Sequence, residues 1–271
     1  MTPRFLIIMI CYHNENEVIS FIHQELGSQT LQDYRCVVVD NSSRQSETLE
    51  IIQHDARNMI IYPGNNTGYF GGAALGWEKY KETYPEEEIP FVIVCNTDLH
   101  FSDKRFLESL FDQYSGGGFD VFGPDIVSEL TGIHQNPYLL NRISKRKLYF
   151  FMNITRNSFL YNAFLLLYYP FKRSGSKRTP SKGHSYSLHG SFMVFSRNYF
   201  QKGGHFNYGS FLFGEEIFIG ELTQQLKMKV LFDPVYQVIH KEHATTGIFK
   251  SRSHVKYLHE SYKYIIDKYY Q

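Results

Sequence analysis

The stretch Phe91-Val92-Ile93-Val94-Cys95-Asn96-Thr97-Asp98 decides the fold of this chain. Its apolar residues run without a polar break, which predicts a strand covered on both faces, as in the middle of a parallel sheet. The strand ends in Asn96-Thr97-Asp98, and open α/β sheets bind ligands at the edge formed by such strand ends. The oxygens of an Asn-x-Asp turn suit a hard divalent cation that carries a diphosphate. Alternatively, Asp98 only caps a helix that begins near Asp103.

Similar strands lie on both sides of that stretch, and helical patterns separate them. Apolar runs predict strands at 5–10, 35–40, 59–62, 91–95, 120–124, 185–195, 230–232 and 235–240. Helical patterns occupy 17–29, 47–56, 73–84, 106–114, about 215–227 and a polar, Tyr-rich tail. This alternation predicts an α/β fold with a doubly wound, mixed but mostly parallel sheet and helices on both faces.

Composition narrows the class of protein further. A chain of 271 residues that is 42% hydrophobic can bury the core of one large domain. Its three cysteines, Cys11, Cys36 and Cys95, lie in apolar runs without Cys-x-x-Cys spacing, which argues against a disulfide framework or a zinc site and favours a reducing compartment. The apolar run near the N-terminus is short and precedes no small-residue cleavage site, so we expect a first strand and a cytoplasmic protein.

Charge is segregated along the chain. Residues 141–182 contain ten Lys or Arg and no acid, although the whole chain carries a net charge of only +1. Aromatic-rich apolar runs at 148–152 and 159–169 lie between the basic clusters, and each is too short to cross a bilayer. We therefore expect a helical insert that lies on an anionic membrane surface. The alternative is a helical pair packed on the domain with a solvated basic face, and nucleic acid is not expected as a partner.

Six short motifs follow the predicted strands or open the predicted helices. They are Val39-Asp40-Asn41-Ser42-Ser43, Asn66-x-Gly68-x-x-Gly71-Gly72, Asn96-Thr97-Asp98, Gly190-Ser191-Phe192-Met193, Glu215-Glu216 and Val238-Ile239-His240. In this order they resemble the family 2 glycosyltransferases of GT-A fold, particularly the rhamnosyltransferase-like branch. The resemblance covers roughly residues 4–247 apart from the basic insert. It implies a GT-A domain at 1–247, interrupted by the insert at about 141–182 and followed by a helical tail at 248–271.

The resemblance implies a nucleoside diphosphate sugar as donor. The residues expected on the donor side are Tyr12, Asn14, Asp40, Asn66, Gly68, Gly71, Gly72, Asn96 and Asp98. A divalent cation, Mn²⁺ or Mg²⁺, would bridge the diphosphate and be held by Asp98 and His240. The alternatives are structural: Asp40 closes a turn, the glycines allow tight backbone bends, and His240 is a hydrogen-bonded residue at a strand end.

The resemblance also implies an inverting transfer, which needs a carboxylate to take the proton of the acceptor hydroxyl. Glu216 matches the position of the base, and Glu215 would support the loop or contact the acceptor. His189 and Gly190 would shape the acceptor cleft. The alternative is that the two glutamates only complement the dipole at a helix N-terminus.

Three functions are compatible with these residues. The leading one is a glycosyltransferase that uses a glycan or a polyprenyl-linked glycan acceptor in surface polysaccharide synthesis, at the inner face of the cell membrane. The second is a nucleotide-sugar-binding scaffold subunit without turnover, because fold alone does not guarantee activity. The third is a sugar-phosphate nucleotidyltransferase, which usually carries a glycine-rich loop with Arg after its first strand, where this chain has Cys11-Tyr12-His13-Asn14.

Overall fold

The computed structural model describes residues 2–42, 46–172, 180–242 and 249–271, with side chains up to 167 in the second range. The strands are β1 Phe5–Cys11, β2 Tyr34–Asp40, β3 Asn58–Ile61, β4 Phe91–Cys95, β5 Leu99–Phe101, β6 Val121–Ser128, β7 Gly183–His184, β8 Phe192–Ser196 and β9 Val230–His240. The helices are α1 Glu15–Ser20, α2 Glu50–Gln53, α3 Tyr69–Thr83, α4 Phe106–Tyr114, α5 Lys145–Ile154, α6 Ser158–Lys172, α7 Arg197–Gln201, α8 Glu215–Gln225 and α9 Arg252–Tyr269. Two features of the sequence analysis fall partly outside the described residues. They are Ser43 of the first motif and three basic residues of the insert, Arg173, Lys177 and Arg178.

The strands form one mixed sheet in the order β3-β2-β1-β4-β8-β6-β9-β5, and β7 also pairs with β9. Strands β1 to β4, β6 and β9 run parallel to one another, whereas β5, β7 and β8 run antiparallel to their neighbours. The predicted α/β fold with a mixed, mostly parallel sheet is confirmed.

Both faces of the sheet are covered by helices. Along β1, Phe5, Ile7 and Met9 point into one apolar cluster with α1, α2 and α4. Leu6 and Ile8 point into a second cluster with α3, α8 and α9. Because every position of such a strand is buried, its sequence shows an unbroken apolar run and no alternation.

The strand predicted at 185–195 begins only at Phe192, the first residue of β8. The residues before it leave the sheet because their polar groups find partners on α8 and on the segment that precedes the insert. Ser187 Oγ donates to the backbone oxygen of Glu216 over 2.7 Å, and the N–H of His189 donates to the side chain of Asn136 over 2.7 Å. This turn carries His189 and Gly190 toward the helix that begins with the two glutamates.

The two strands predicted at 230–232 and 235–240 form a single strand, β9. This strand is irregular around Pro234. Its register with β6 shifts there, between Pro124 and Asp125 of β6. Proline cannot donate to the ladder, so the strand bulges at this point and then continues.

The helices also differ from the prediction at their ends. The helix predicted at 17–29 begins at Glu15 and continues beyond α1 as a π-helical segment, Phe21–Leu26. The helix predicted at 47–56 is a 3-10 turn, Glu47–Leu49, followed by the short α2. Strand β5 has only three residues, which is too short to show a periodic pattern.

The insert packs on the C-terminal helix α9 through its inner face. Leu148 is fully buried, and the ring of Phe151 stacks on that of Tyr262 at 5.7 Å. His259 Nδ1 lies 2.9 Å from the backbone oxygen of Met152. The inner faces of α5 and α6 therefore belong to the packed domain. No helix in the described ranges combines the length and the apolar character that crossing a bilayer requires.

One buried ion pair links the insert to the domain. Glu221 on α8 is 2% exposed and accepts hydrogen bonds from Arg142 over 2.8 and 2.7 Å. The hydroxyl of Tyr186 donates to the same carboxylate, and Arg142 also reaches the backbone oxygen of Tyr269. The guanidinium therefore joins the start of the insert, α8 and the end of α9.

We expect Arg142→Ala to lower the free energy of unfolding by about 3 kcal/mol, because Glu221 would stay buried without its cation. Urea denaturation measures this change. The matched control is Arg197→Ala, which removes an exposed pair with Glu88, whose side chains are 48% and 67% exposed. That control should cost about 0.5 kcal/mol. Equal losses in the two variants would contradict the structural role of Arg142.

Candidate active site

The ends of six strands place the sequence motifs along one edge of the sheet. Cys11 of β1 is opposite Asp40 of β2, and Cys95 of β4 is opposite Phe192 of β8. Strand β5 begins at the same edge, where it pairs with the end of β9. Because β8 is antiparallel to β4, the residues that precede β8 meet the residues that follow β4.

Asp98 and His240 are in contact at this edge. His240 Nε2 lies 3.2 Å from Asp98 Oδ2, and its Nδ1 lies 2.8 Å from Gln135 Oε1. The orientation of the Gln135 amide follows from its other partner, since its NH₂ group donates to the carboxylate of Glu242. A neutral imidazole that donates from Nδ1 to Gln135 presents a lone pair at Nε2. A lone pair and a carboxylate oxygen then face each other, which is an arrangement that a shared cation or proton stabilises.

Asp98 is not the cap of the following helix. Helix α4 begins at Phe106, and Asp103 makes the local contacts there. Its backbone oxygen accepts from the N–H of Phe106, and its Oδ1 accepts from the N–H of Arg105 over 2.9 Å. The capping alternative for Asp98 is therefore wrong.

The loop that carries Asp98 is braced from two sides. The N–H of Asn96 donates to the backbone oxygen of Ser191 over 2.8 Å. The side chain of Asn14 donates to Thr97 Oγ1 over 3.0 Å and to Glu17 over 2.9 Å. The side chain of Asn14 therefore holds the Asn96-Thr97-Asp98 turn. Any contact of Asn14 with the donor would be made by its backbone. Tyr12 beside it is exposed.

Asp40 is fully buried at the end of β2. Its Oδ1 accepts from the N–H of Ser42 over 3.0 Å, which is the turn contact of the structural alternative. Its Oδ2 is buried and has no hydrogen-bond partner within the part of the chain that the structure describes. Leaving a buried acceptor unsatisfied costs about 1–3 kcal/mol. The free oxygen is therefore suited to an N–H or O–H donor of a ligand.

Asp40 also lies close to Cys11 and Glu15. Each of the three residues offers one possible metal-ligand atom, and these atoms are within 4.8 Å of one another. Burial raises the pKa of the Cys11 thiol to about 12, so the sulfur is protonated at neutral pH. Mn²⁺ and Mg²⁺ prefer oxygen ligands to sulfur. The cluster is therefore a poor site for either ion.

Asn41 joins the turn after β2 to the glycine loop, a role that the sequence analysis missed. Its Nδ2 donates to the backbone oxygen of Gly68 over 3.0 Å, and its Oδ1 accepts from Thr67 Oγ1 over 2.8 Å. Within the loop, Asn66 Oδ1 accepts from the N–H of Gly68 over 2.9 Å. The only signal in the sequence is that Asn41 directly follows Asp40.

The glycines of this loop have different roles. Gly68 has φ +77°, and a Cβ there would lie 2.0 Å from the backbone oxygen of Phe211. A Cβ on Gly72 would lie 2.8 Å from Ile10, so this glycine lets α3 approach the sheet. A Cβ on Gly71 would meet only Thr67, at an ordinary 3.4 Å. Packing therefore explains Gly68 and Gly72 but not Gly71, whose predicted contact with the donor stays a prediction.

We expect Gly68→Ala to lower the free energy of unfolding by more than the about 1–2 kcal/mol that a positive φ costs an alanine. The additional loss comes from the clash with Phe211. Gly64→Ala is the matched control, since Gly64 has φ +79° and no atom within 4 Å of its Cβ position. Thermal unfolding compares the two variants. If both lose the same stability, the contact between the glycine loop and Phe211 is not formed.

Glu215 and Glu216 open α8 after Gly214, which adopts a left-handed conformation with φ +82°. Glu215 Oε1 accepts from the N–H of Phe213 over 3.1 Å, and Glu216 Oε1 accepts from the N–H of Gly190 over 3.3 Å. Burial, together with the charge of Glu216, raises the pKa of Glu215 to about 8. Burial also raises the pKa of Glu216. Complementing a helix dipole does not require burial, so the dipole alone leaves the burial of Glu215, which is 6% exposed, unexplained.

Gly190 connects these acids to the rest of the edge. A Cβ on Gly190 would lie 2.9 Å from Glu216 Oε1, so glycine allows the carboxylate to approach the backbone. The hydroxyl of Tyr69, the first residue of α3, donates to the backbone oxygen of Gly190 over 2.9 Å. Burial, with smaller effects from Cys95, both glutamates and Asp98, raises the pKa of Tyr69. Tyr69 therefore links the start of α3 to Gly190, whose N–H contacts Glu216.

His189 and Tyr138 close the other side of the cleft. The ring of His189 lies 5.8 Å from that of His240 and 6.1 Å from that of Tyr138. Burial and the neighbouring His240 lower the pKa of His189 to about 4, so it is neutral at pH 7. The charge of Glu216 is the largest cause that raises the pKa of Tyr138. The structure thus brings Asp98, His240, His189 and Glu216 together, with Tyr69 and Tyr138 as members that the sequence analysis missed.

Comparison with known proteins places the chain in a family. The family described as glycosyl transferase family 2 matches residues 7–204, which is more than two thirds of the chain. This chain belongs to glycosyl transferase family 2. The match includes the Asp40 motif, the glycine loop, Asn96-Thr97-Asp98 and Gly190.

One similar curated protein is the low-salt glycan biosynthesis hexosyltransferase Agl10 of Haloferax volcanii, which is 26% identical over 216 residues. The alignment covers 78% of this chain and 58% of that protein. Among solved structures, the crystal structure of GalNAc-T7 with UDP, GalNAc and Mn²⁺ matches with a TM-score of 0.60 and 12% identity, over 98% of this chain and 56% of that chain. This likeness shows a GT-A fold, as predicted. The family 2 chain thus spans less than two thirds of either relative, and neither name supports the rhamnosyltransferase-like branch, which stays a prediction.

Proposed function

We propose that this protein is an inverting, metal-dependent glycosyltransferase that moves a hexosyl or deoxyhexosyl group from a nucleoside diphosphate sugar to a hydroxyl group. One observation carries the proposal: the Asp98–His240 pair and Glu216 lie on one cleft, linked through His189, Gly190 and Tyr69. A cation-binding pair beside a carboxylate of raised pKa is the arrangement that this chemistry needs.

Asp98 and His240 are the residues that would hold the cation. The residues fit a cation because two acceptor atoms, His240 Nε2 and Asp98 Oδ2, face each other. The contact of Nδ1 with Gln135 fixes the orientation of the His240 ring. One imidazole and one carboxylate suit Mn²⁺ better than Mg²⁺, which prefers oxygen alone. When bound, the ion supplies charge stabilisation for the departing diphosphate.

Glu216 is the proposed base. The acceptor oxygen forms a bond to the anomeric carbon while the bond from that carbon to the diphosphate oxygen breaks, and the hydroxyl proton passes to the carboxylate. A base whose pKa is raised toward neutrality accepts this proton more readily than an ordinary glutamate. Glu215 shares the buried position, holds the N–H of Phe213 and keeps the turn before α8 in place.

The donor is proposed to lie across the ends of β1 to β4. Asp40 Oδ2 offers a buried acceptor to the base or the ribose, and the backbone near Tyr12 borders the same place. The glycine loop, with Gly68 and Gly71, is tied to this nucleotide end by Asn41, which donates to the backbone oxygen of Gly68. The UDP in the GalNAc-T7 structure, a protein of the same fold, supports a nucleotide donor.

The acceptor is proposed to be a glycan or a polyprenyl-linked glycan, used in surface polysaccharide synthesis at the inner face of the cell membrane. Two observations support this. The similar Haloferax protein is named as a hexosyltransferase of glycan biosynthesis. The basic, aromatic insert also begins next to the helix that carries Glu216, because Arg142 contacts Glu221 on α8.

Incubation of the protein with individual nucleoside diphosphate sugars and Mn²⁺ tests the proposal. We expect one sugar nucleotide to raise the melting temperature and to be hydrolysed slowly without acceptor. Chelation of the metal should stop the hydrolysis. Binding without hydrolysis, even when acceptor glycans are added, would instead support the scaffold function.

A further inference from the structure

The outer face of the insert exposes large apolar side chains. This face consists of Phe150 on α5 and Phe159, Leu160, Leu166 and Leu167 on α6. Phe159 and Leu167 are 77% and 76% exposed. On α6, Leu166 follows Phe159 by seven residues and Leu167 follows Leu160 by seven. Because seven residues are about two helical turns, the four side chains lie on one side of the helix. The ring of Phe150 lies 5.7 Å from that of Phe164, which joins α5 to this side. A contiguous apolar surface of this kind marks an interaction site.

Basic residues border the outer face. Lys145, Arg146 and Lys147 are exposed in the first turn of α5, and Arg156 is exposed between α5 and α6. No acid in the described ranges forms an ion pair with any of these four, in contrast to Arg142 at the start of the insert. Three cations at a helix N-terminus oppose the helix dipole, which favours anions there. Their position is unfavourable for the isolated helix and favourable only with an external anion.

We propose that the outer face of the insert docks on an anionic lipid bilayer. The apolar side chains enter the boundary between headgroups and acyl chains, and the four basic residues contact anionic headgroups. Charge complementarity selects this partner: the insert carries ten Lys or Arg and no acid, and bulky aromatic and aliphatic side chains lie between the cations. Neither helix needs to cross the bilayer for this mode of binding.

The inner face of the same helix is turned toward the domain. Tyr161 lies on the opposite side of α6 from Phe159 and Leu166 and is partly buried. At the start of the insert, Arg142 contacts Glu221 on α8, the helix that carries Glu216. One helix, about 10 Å thick, therefore separates the proposed bilayer surface from the domain that carries Glu216. Given the proposed function, this geometry selects a lipid-linked acceptor whose reacting hydroxyl lies just above the membrane surface.

Co-sedimentation of the full chain with vesicles tests the docking, without donor or metal. One set of vesicles contains phosphatidylcholine alone, and the other contains equal parts of phosphatidylcholine and phosphatidylglycerol. We expect binding to the second set only. The triple change K145Q/R146Q/K147Q should weaken that binding about a hundredfold, since each cation contributes about fivefold. Phe159→Ser with Leu167→Ser should also weaken it about a hundredfold.

Matched controls remove the same kinds of side chain from other surfaces. These are K79Q/K81Q/K104Q for charge and Ile51→Ser with Val235→Ser for exposed apolar side chains. They should leave vesicle binding unchanged. Circular dichroism of all variants reports folding, and donor hydrolysis tests the catalytic proposal separately, so one proposal can fail without the other. Equal binding to both sets of vesicles would overturn the inference. Self-association of the full chain that Phe159→Ser abolishes, without vesicle binding, would overturn it too, because the partner would then be a second copy.

Discussion

Glu216→Gln is expected to lower kcat for sugar transfer about a thousandfold, because the amide cannot take the proton of the attacking hydroxyl. The affinity for the donor should change little, since the oxygen that accepts from Gly190 is retained. Steady-state kinetics with saturating donor measures kcat, and calorimetry with the nucleoside diphosphate measures the affinity. A loss of donor affinity that accounts for the whole effect would contradict the role of Glu216 as the base.

Glu215→Gln is the matched control, because it keeps an acceptor for the N–H of Phe213 and removes only the second charge. The base acts in its deprotonated form, and burial together with mutual repulsion raises the pKa of the pair. Transfer should therefore become faster as the pH rises above the range in which an ordinary glutamate titrates. Removing the neighbouring charge should lower the pKa of Glu216 and move the midpoint of the profile to lower pH. If Glu215→Gln shows the thousandfold loss instead, the two roles are exchanged.

Asp98→Ala should reduce donor hydrolysis and transfer about a thousandfold, because several kcal/mol of charge stabilisation at the diphosphate depend on the cation that Asp98 helps to hold. The rate of the variant should no longer respond to added Mn²⁺. Hydrolysis followed across a Mn²⁺ titration measures both effects.

Asp103→Ala is the control for that variant, since Asp103 follows β5 closely and its side chain accepts from the N–H of Arg105. It should keep the Mn²⁺ response and nearly all of the rate. An Asp98→Ala protein that is still stimulated by Mn²⁺ to the same degree would show that the cation binds elsewhere.

The edge of the sheet could be predicted from the sequence because its signals are local. The apolar run at 91–95 predicts a strand buried on both faces, and the polar residues directly after it must lie where that strand ends. The same reasoning places Asp40 and His240 at strand ends, and they are the last residues of β2 and β9.

The remaining parts of the site depend on partners that are distant in the chain. Gln135 orients His240 from 105 positions away, and Tyr69 reaches Gly190 across 121 positions. Nothing in the local sequence distinguishes these side chains from ordinary surface residues. The course of the chain before β8 was also missed, because alternating Ser and Tyr predict a strand equally well when their hydroxyl groups bind a helix.

The insert, too, could be predicted only in part from the sequence. Its basic and aromatic composition is visible in the sequence, and it predicts an interaction with an anionic surface. Which side of each helix is available for that interaction depends on packing against α9, where Phe151 stacks on Tyr262. Only the structure separates the outer face from the side that carries Tyr161.

The central claim is that Asp40, Asp98, His240 and Glu216 surround one nucleotide and one cation. Calorimetric titration of a nucleoside diphosphate, with and without Mn²⁺, tests it most directly when applied to the unaltered chain, Asp40→Asn and Asp98→Ala. We expect Mn²⁺ to tighten binding at least about tenfold in the unaltered chain and in Asp40→Asn, and to have no effect in Asp98→Ala. Asp40→Asn should weaken binding equally with and without the metal. Nucleotide binding that is indifferent to Mn²⁺, or a Mn²⁺ effect that survives Asp98→Ala, would contradict the shared site.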